Sequence, residues 1–219
     1  NILLDQAFGR ESDDYKAWVS SHCRVLTGAS YALLRPEFSA ARPNALADRD
    51  ASSIGINRIL ISLGSNDLTN VTKLALEGVS ESGLGATVDV VLSQNAPHLS
   101  SVRRQVESLP NVRLHTDVED MVSLMVEADI AIGGGGTTSW ERCCLGLPTL
   151  AITIAENQKF TNENLGKSGI VYYLGRHADL DKMCIAAILR ELNMNSGRLR
   201  GMSQRARLVC DGRGTSRLL

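Results

Sequence analysis

The chain has 219 residues, a formal net charge of −1 at pH 7 and 4% aromatic residues. This length is enough for one large or two small domains with an ample core. The balanced charge and the few aromatic residues argue against a nucleic-acid-binding surface. The sequence has no apolar run long enough to span a bilayer and no visible signal peptide, so we expect a cytoplasmic protein without membrane or nucleic-acid partners.

The cysteines indicate neither a disulfide framework nor a metal site. There are five of them, an odd number, with no CxxC pair and no Cys/His cluster at zinc spacing. Reduced thiols are the simplest interpretation, and a catalytic cysteine is disfavoured because no histidine lies in a motif with one. We therefore expect no metal. The cysteines are Cys23, Cys143, Cys144, Cys184 and Cys210.

The first 57 residues divide into two parts. Residues 1–38 begin with an apolar stretch, continue through a polar helix-like stretch around 13–19 and a short strand at 24–26, and end in YALLRPEF. The Arg-Pro step in this motif predicts an exit into extended chain, because the residue before proline avoids the helical region. Residues 39–57 are polar and rich in small residues, and they predict a linker. The arginines in and beside it are expected to be solvated: Arg42, Arg49 and Arg58.

From residue 58 the pattern alternates between buried strands and amphipathic helices. Strands are predicted at 58–64, 87–92, 112–115, 128–132, 149–154 and 170–174. Helices are predicted up to about residue 81 and at 99–109, 118–127, 137–145, 162–168, 180–192 and 199–209. This alternation predicts a doubly wound parallel α/β domain over 58–195. Residues 196–219 form a C-terminal helix and tail, which we expect to pack near the first segment.

The central stretch contains four consecutive glycines at 133–136, between a short strand and a helix. Glycines allow a close backbone approach, and the first free amides of a helix attract an anion, usually a phosphate. Here those amides belong to Gly136, Thr137 and Thr138, and the threonines can add hydroxyl donors. The alternative is that the glycines form only a tight turn. No acidic residue stands about 20 residues after a GxGxxG motif, which disfavours NAD.

Three predicted strand ends carry polar groups. They are residues 64–67 after the first strand of the domain, 133–138 after the fourth and 156–158 after the fifth. Ligands of open α/β sheets bind beyond the carboxyl ends of the strands, and all three segments fall on that edge. Their convergence predicts a nucleotide-like ligand.

Several motifs together resemble GT-B-type nucleotide-sugar enzymes, in particular the UDP-sugar hydrolases of pseudaminic acid biosynthesis. They are LLDQ, YALLRPEF, ILISLGSND, ADIAIGGGGTTSWERCCLGLPTL, AENQ and DGRG, which together extend over essentially the whole chain. The resemblance implies two Rossmann-like domains with the active site between them, and hydrolysis without a metal or cofactor that releases UDP and a diacetamido-trideoxyhexose.

The family's catalytic base is a histidine in a glycine-rich turn of the first domain. None of the four histidines of this chain follows glycines, and the first residue is Asn1. The resemblance therefore implies that the chain is the C-terminal part of such an enzyme, with the first domain missing and the base upstream of Asn1. Residues 1–38 are then the end of the first domain. As it stands, the polypeptide is expected to bind UDP or a UDP-sugar weakly and to hydrolyse nothing.

The resemblance also implies roles for individual residues. The diphosphate contacts are expected from Gly135, Gly136, Thr137 and Thr138. Glu141 matches a glutamate that accepts hydrogen bonds from the ribose, and Val118 lies in the loop whose backbone faces the uracil. The sugar side is expected to include Ser65, Asn66, Asp67, Asn157 and Gln158. SLGSND replaces the family's double glycine, which weakens the expectation of close backbone approach at Ser65.

Each role has a plainer alternative. Glu141 can be a surface acid of its helix, and Asn66 and Asp67 can simply cap theirs. Met121 and Met125 are expected in the core rather than against a base. Trp140 is expected between helix and sheet, and His115 is expected to be a polar residue at a strand end. Two other functions also stay open: a UDP-sugar-dependent GT-B glycosyltransferase and a non-catalytic nucleotide-binding module of a larger fusion.

Overall fold

The computed structural model describes residues 1–51 and 55–219. Its main feature is a six-stranded parallel sheet with the strand order β5-β4-β3-β6-β7-β8. A separate pair of parallel strands, β1 and β2, lies near the start of the chain. The strands are β1 (Ile2–Asp5), β2 (Arg24–Thr27), β3 (Arg58–Ser62), β4 (Thr87–Leu92), β5 (Val112–Thr116), β6 (Ile130–Gly134), β7 (Thr149–Thr153) and β8 (Tyr172–Arg176).

The helices alternate with these strands, as the sequence pattern predicts for a doubly wound fold. They are α1 (Pro36–Ala51), α2 (Val71–Ser82), α3 (Leu99–Glu107), α4 (Met121–Glu127), α5 (Thr137–Cys144), α6 (Lys159–Lys167), α7 (Lys182–Met194), α8 (Ser196–Ala206) and α9 (Gly214–Leu218). The predicted α/β class and the predicted parallel sheet are confirmed. The helix-like stretch around 13–19 is only a short 3₁₀ turn, Ser12–Tyr15.

The sheet is buried on both faces, which explains why its strands are almost continuously apolar. On one face, Ile59 and Ile132 pack with residues of α2 and α7. On the other, Leu60 and Ala131 pack with α1, α4 and α5. Neighbouring residues of a strand point to opposite faces, so each central strand contributes to two separate cores.

The predicted linker at 39–57 is largely helical. The sixteen-residue helix α1 begins at Pro36 and contains Pro43, and residues 52–54 of the linker lie outside the described residues. The predicted exit into extended chain at Pro36 is therefore wrong, because proline is well suited to the first turn of a helix, where its missing N–H costs nothing. The helix packs its buried Phe38 and Ala45 into the second core. Where the domains divide stays a prediction.

The prediction that the linker arginines are solvated is also wrong. Arg49 donates to the carbonyls of Met125 (2.7 Å), Ala128 (2.9 Å) and Leu145 (2.8 Å), which end α4 and α5. Arg42 donates to the carbonyls of Cys144, Arg207 and Cys210. Carbonyls at helix C-termini lack intrahelical donors, and a guanidinium group supplies several at once. These arginines therefore join α1 to the helices beside it.

Arg58 is part of an ionic network rather than a solvated charge. Its Nε lies 2.7 Å from Oδ2 of Asp89, whose side chain is only 1% exposed, and it also pairs with Glu127. The ring Nε2 of His115 lies 2.6 Å from the other oxygen of Asp89. Burial raises the pKa of Asp89, but the hydrogen bonds from Arg58 and His115 outweigh it and keep that pKa below its usual value. His115 thus has a structural partner across the strands β4 and β5.

The C-terminal tail packs against the N-terminal segment, as expected. Arg217 of α9 donates to the carbonyl of Ser30 (2.8 Å) and pairs with Asp211. Gly214 lies so close to this segment that an added Cβ would stand 2.2 Å from the carbonyl oxygen of Ala32. The two ends of the described chain therefore stabilise one another.

Candidate functional site at the switch point of the sheet

The candidate site lies where the direction of strand succession reverses, between the neighbouring strands β3 and β6. The helix after β3 is α2, which packs on one face of the sheet, and the helix after β6 is α5, which packs on the other. Their loops therefore diverge and leave a crevice at the carboxyl edge, the usual ligand position in open α/β sheets. The register places Ser62 beside Gly133, so both loops start at the same level.

The N-terminus of α5 opens toward solvent at this crevice. Gly136 precedes the helix with a φ of 98° and has no neighbouring atom where a Cβ would be. Gly136 and Thr137 are exposed, Thr138 is half-buried, and no side chain caps the helix. The first amides of a helix have no intrahelical acceptor, so these groups can bind an anion. The four-glycine turn is shorter than predicted, because Gly133 and Gly134 belong to β6.

Gly135 and Gln158 bind each other rather than facing the crevice separately. The amide of Gly135 donates to Oε1 of Gln158 (3.1 Å), and the same oxygen accepts from the amide of Ile154 (3.2 Å). A Cβ on Gly135 would lie 2.8 Å from Cβ of Gln158, so only glycine fits there without displacement. This link joins the loop after β6 to the loop after β7. Asn157 is exposed in that second loop.

The loop after β3 contains Ser65, Asn66 and Asp67. The buried carboxylate of Asp67 accepts from the amides of Val71 (2.9 Å) and Thr72 (2.7 Å) and so caps α2. Ser65 and Asn66 are exposed at the carboxyl edge of the sheet. Of the three predicted sugar-side residues in this loop, Ser65 and Asn66 thus have side chains available to a ligand, whereas the carboxylate of Asp67 is occupied.

The side chain of Glu141 stands apart from the polar groups of the described residues. Its side chain is half-buried in α5, and no described residue makes a hydrogen bond or an ion pair with it. Burial raises the pKa of Glu141, while Arg142 and Arg35 act in the opposite direction. A carboxylate without a protein donor in the first turns of this helix is a ready acceptor for ligand hydroxyl groups.

The remaining predicted residues lie farther away or in the core. Val118 is half-buried in the loop between β5 and α4, and β5 is separated from β6 by two strands. Met125 is fully buried and Trp140 is 4% exposed in the second core, and Met121 packs against that core, which confirms that these residues are structural.

Sequence reasoning did not find Arg142. This arginine lies in α5 with only 2% of its surface exposed, and Nη2 donates to the carbonyl of Gly134 (2.6 Å). Its position in the middle of a helix, followed by two cysteines, resembles that of any core-facing residue, and only the charge itself could have drawn attention to it. The described residues contain no group of three or more His, Cys, Asp or Glu side chains placed to hold a metal ion. None of their helices has the length and apolar character needed to cross a membrane.

Comparison with known proteins finds relatives of similar sequence, although no family model matches the chain. The chain is 28% identical over 162 residues to the spore coat polysaccharide biosynthesis protein SpsG of Bacillus subtilis, covering 73% of this chain and 46% of SpsG. It is 29% identical over 170 residues to the UDP-2,4-diacetamido-2,4,6-trideoxy-β-L-altropyranose hydrolase of Campylobacter jejuni, covering 77% of this chain and 58% of that protein. The chain thus spans about half the length of these relatives.

Among solved structures, MurG of Acinetobacter baumannii matches with a TM-score of 0.62 at 16% identity. The match covers 99% of this chain and 58% of MurG. The chain has a GT-B-type α/β fold. Two of its relatives with similar sequences are a polysaccharide biosynthesis protein and a UDP-sugar hydrolase.

Proposed function

We propose that this chain is the UDP-sugar-binding part of a nucleotide-sugar hydrolase that releases UDP and a diacetamido-trideoxyhexose in pseudaminic acid biosynthesis. The main support is the open N-terminus of α5 at the switch point, one turn away from the unpartnered carboxylate of Glu141. The similarity to a hydrolase of a UDP-linked trideoxy sugar supports the substrate class.

In this proposal the first turn of α5 binds the diphosphate. The exposed amides of Gly136, Thr137 and Thr138 and the two threonine hydroxyls donate to its oxygens, and the positive end of the helix stabilises its charge. When the bond between sugar and phosphate breaks, negative charge develops on the leaving UDP. The same donors then stabilise the transition state, and such a donor contributes about 3–4 kcal/mol in a preorganised site.

Glu141 accepts hydrogen bonds from the ribose hydroxyls, and the loop with Val118 faces the uracil. Ser65, Asn66 and Asn157 face the sugar from neighbouring strand ends. Gly135, Asp67 and Gln158 support the site indirectly, since their polar groups already bind other parts of the two loops. Water activation requires a general base close to the sugar, and we place that base outside residues 1–219, as the resemblance implies.

A GT-B glycosyltransferase is the second candidate, favoured by the structural match to WaaG, a glycosyltransferase involved in lipopolysaccharide biosynthesis, over 94% of this chain with a TM-score of 0.59. Both candidates need the same nucleotide site and differ in the acceptor. If UDP release by the full-length gene product proceeds in water with no added acceptor, the hydrolase proposal is supported. If release requires an added hydroxyl compound, the transferase is supported instead. The chain alone is expected to release no UDP from a UDP-sugar.

The binding proposal is tested by calorimetric titration with UDP and with 2′-deoxy-UDP. We expect saturable UDP binding that Glu141→Ala weakens by about 1.5–3 kcal/mol, the size of a lost hydrogen bond to a charged group. The preference of the wild type for UDP over 2′-deoxy-UDP should shrink in the same variant, because the ribose contact is already lost. Glu107→Ala is the control, since Glu107 is exposed at the end of α3. The proposal would be contradicted if the wild type bound no UDP at millimolar concentration. It would also be contradicted if Glu141→Ala and Glu107→Ala bound UDP with equal affinity.

A further inference from the structure

Arg142 is a buried cation with unused donors directly behind the candidate anion site. Its Nη2 donates to the carbonyl of Gly134 and lies 3.3 Å from Oγ of Ser139, whereas Nε and Nη1 have no hydrogen-bond partner within residues 1–51 and 55–219. Buried polar groups are almost always paired, and an unpaired buried charge is costly. Two unpaired donors on a buried arginine therefore indicate a function beyond packing.

The surroundings of Arg142 are built to accommodate its guanidinium group. A Cβ on Gly133 would lie 2.4 Å from Nη1, so any larger residue at this position of β6 would displace the guanidinium group. The side chain extends back along α5 toward Gly134, the last residue of β6 before the Gly135–Gly136 turn. Burial lowers the pKa of Arg142 to about 10, so the group is still a cation at neutral pH. Nearby Glu141 and Cys143 act in the opposite direction.

We infer that Arg142 is a positioning residue that gives this site its selectivity for a diphosphate over an uncharged ligand, an inference that rests on the proposed function. Its fixed positive charge adds to that of the helix N-terminus, and its bond to Gly134 orients the turn whose amides face the ligand. The charge acts through a water-excluded interior, where electrostatic interactions are screened less than in solvent. A bound diphosphate in front of the turn supplies a negative charge that Arg142 attracts through the interior, and no described residue forms an ion pair with this arginine.

A purely structural role is the rival explanation, in which Arg142 only ties β6 to α5. The two roles differ in how binding depends on ligand charge. A structural defect weakens uridine and UDP alike, whereas loss of the fixed charge weakens UDP and leaves uridine almost unchanged. The ratio of the uridine and UDP dissociation constants therefore measures the inferred role.

The test compares the wild type with Arg142→Gln and Arg142→Lys by calorimetric titration with UDP, UMP and uridine. We expect Arg142→Gln to reduce the ratio of the uridine dissociation constant to the UDP dissociation constant about tenfold, and to reduce the corresponding ratio for UMP less. Arg142→Lys should retain most of the ratio because it keeps the charge. Arg49→Gln is the matched control. Arg49 is also a cation whose pKa burial lowers to about 10, but it lies at the other end of α5. Arg49→Gln should lower the melting temperature and leave the ratio of the uridine and UDP dissociation constants unchanged.

Each outcome decides between the proposals. An unchanged ratio in Arg142→Gln, with UDP still bound, overturns this inference and leaves the proposed function intact. A wild type that binds no UDP overturns both. If Arg142→Gln does not fold, Arg142→Met takes its place, since it removes the charge without burying an amide: a ratio about tenfold below that of the wild type supports the inference, and an unchanged ratio overturns it.

Discussion

Replacing Arg49 by methionine tests whether α1 is fastened to the sheet domain as the structure shows. The substitution keeps an unbranched side chain that can pack like the arginine stem, and it removes the donors to the carbonyls of Met125, Ala128 and Leu145. Hydrogen bonds to charged groups contribute about 1.5–3 kcal/mol each. Because Arg49 is half-buried, water can replace part of the lost bonding. We therefore expect a net loss of about 3 kcal/mol in the free energy of unfolding.

For a domain of this size, 1 kcal/mol corresponds to about 2–4 °C in melting temperature, so Arg49→Met should melt about 6–12 °C below the wild type. Differential scanning calorimetry measures this shift directly. The control is Arg103→Met, because Arg103 is exposed on α3 and exposed substitutions of this kind change stability by about 0.5 kcal/mol or less. If Arg49→Met and Arg103→Met melt within about 2 °C of each other, the hydrogen bonds of Arg49 do not stabilise the packing of α1 and the prediction is refuted.

Three further predictions concern buried and ionic groups. Asp89→Asn should lower the free energy of unfolding in urea by about 3 kcal/mol, because it leaves Arg58 and His115 without their shared carboxylate; a loss below about 0.5 kcal/mol would contradict the network. The bond with Arg217 lowers the pKa of Asp211 to about 2. The ion pair therefore stabilises the fold fully when the pH is above 3.8, the ordinary pKa of an aspartate, and this stabilisation is lost as the pH falls toward 2. Asp211→Asn should cost about 1 kcal/mol at pH 7, discounted for partial exposure, and an equal cost at pH 2 would refute this. Native protein at pH 8 should react with a thiol reagent at Cys23 and Cys184 only, since burial raises the pKa of Cys143 to about 12; rapid labelling of the buried thiols would contradict it. Those thiols are Cys143, Cys144 and Cys210.

Much of the fold could be predicted from local patterns. The strand Thr87–Leu92 has the predicted bounds, and α5 begins at the predicted Thr137 and ends one residue early. Apolar runs, a glycine with positive φ at Gly146 and a following proline act over a few residues, so they are visible in the sequence. The segment most affected by distant contacts, α1, was predicted wrongly because its polar composition hides a helix that arginines and Phe38 hold in place.

The candidate site was predictable in location but not in detail. The glycine-rich turn, Glu141 and the polar strand ends all follow the carboxyl ends of parallel strands, and that rule places them at one edge of the sheet. Whether a polar side chain meets the ligand or the protein depends on contacts between distant residues. Gln158 turns toward Gly135, Asp67 turns toward its own helix, and Arg142 is buried with two free donors.

The sequence by itself determined the α/β class, the parallel sheet and the position of the uncapped helix N-terminus at the candidate site, because hydrophobic periodicity and glycine placement are local properties. Only the tertiary structure decided the strand order, which makes β3 and β6 neighbours and so creates the crevice. It also decided that Arg42, Arg49 and Arg58 bind carbonyls and carboxylates. The partners of a long polar side chain are chosen by packing, since an unpaired buried group costs far more than an exposed one.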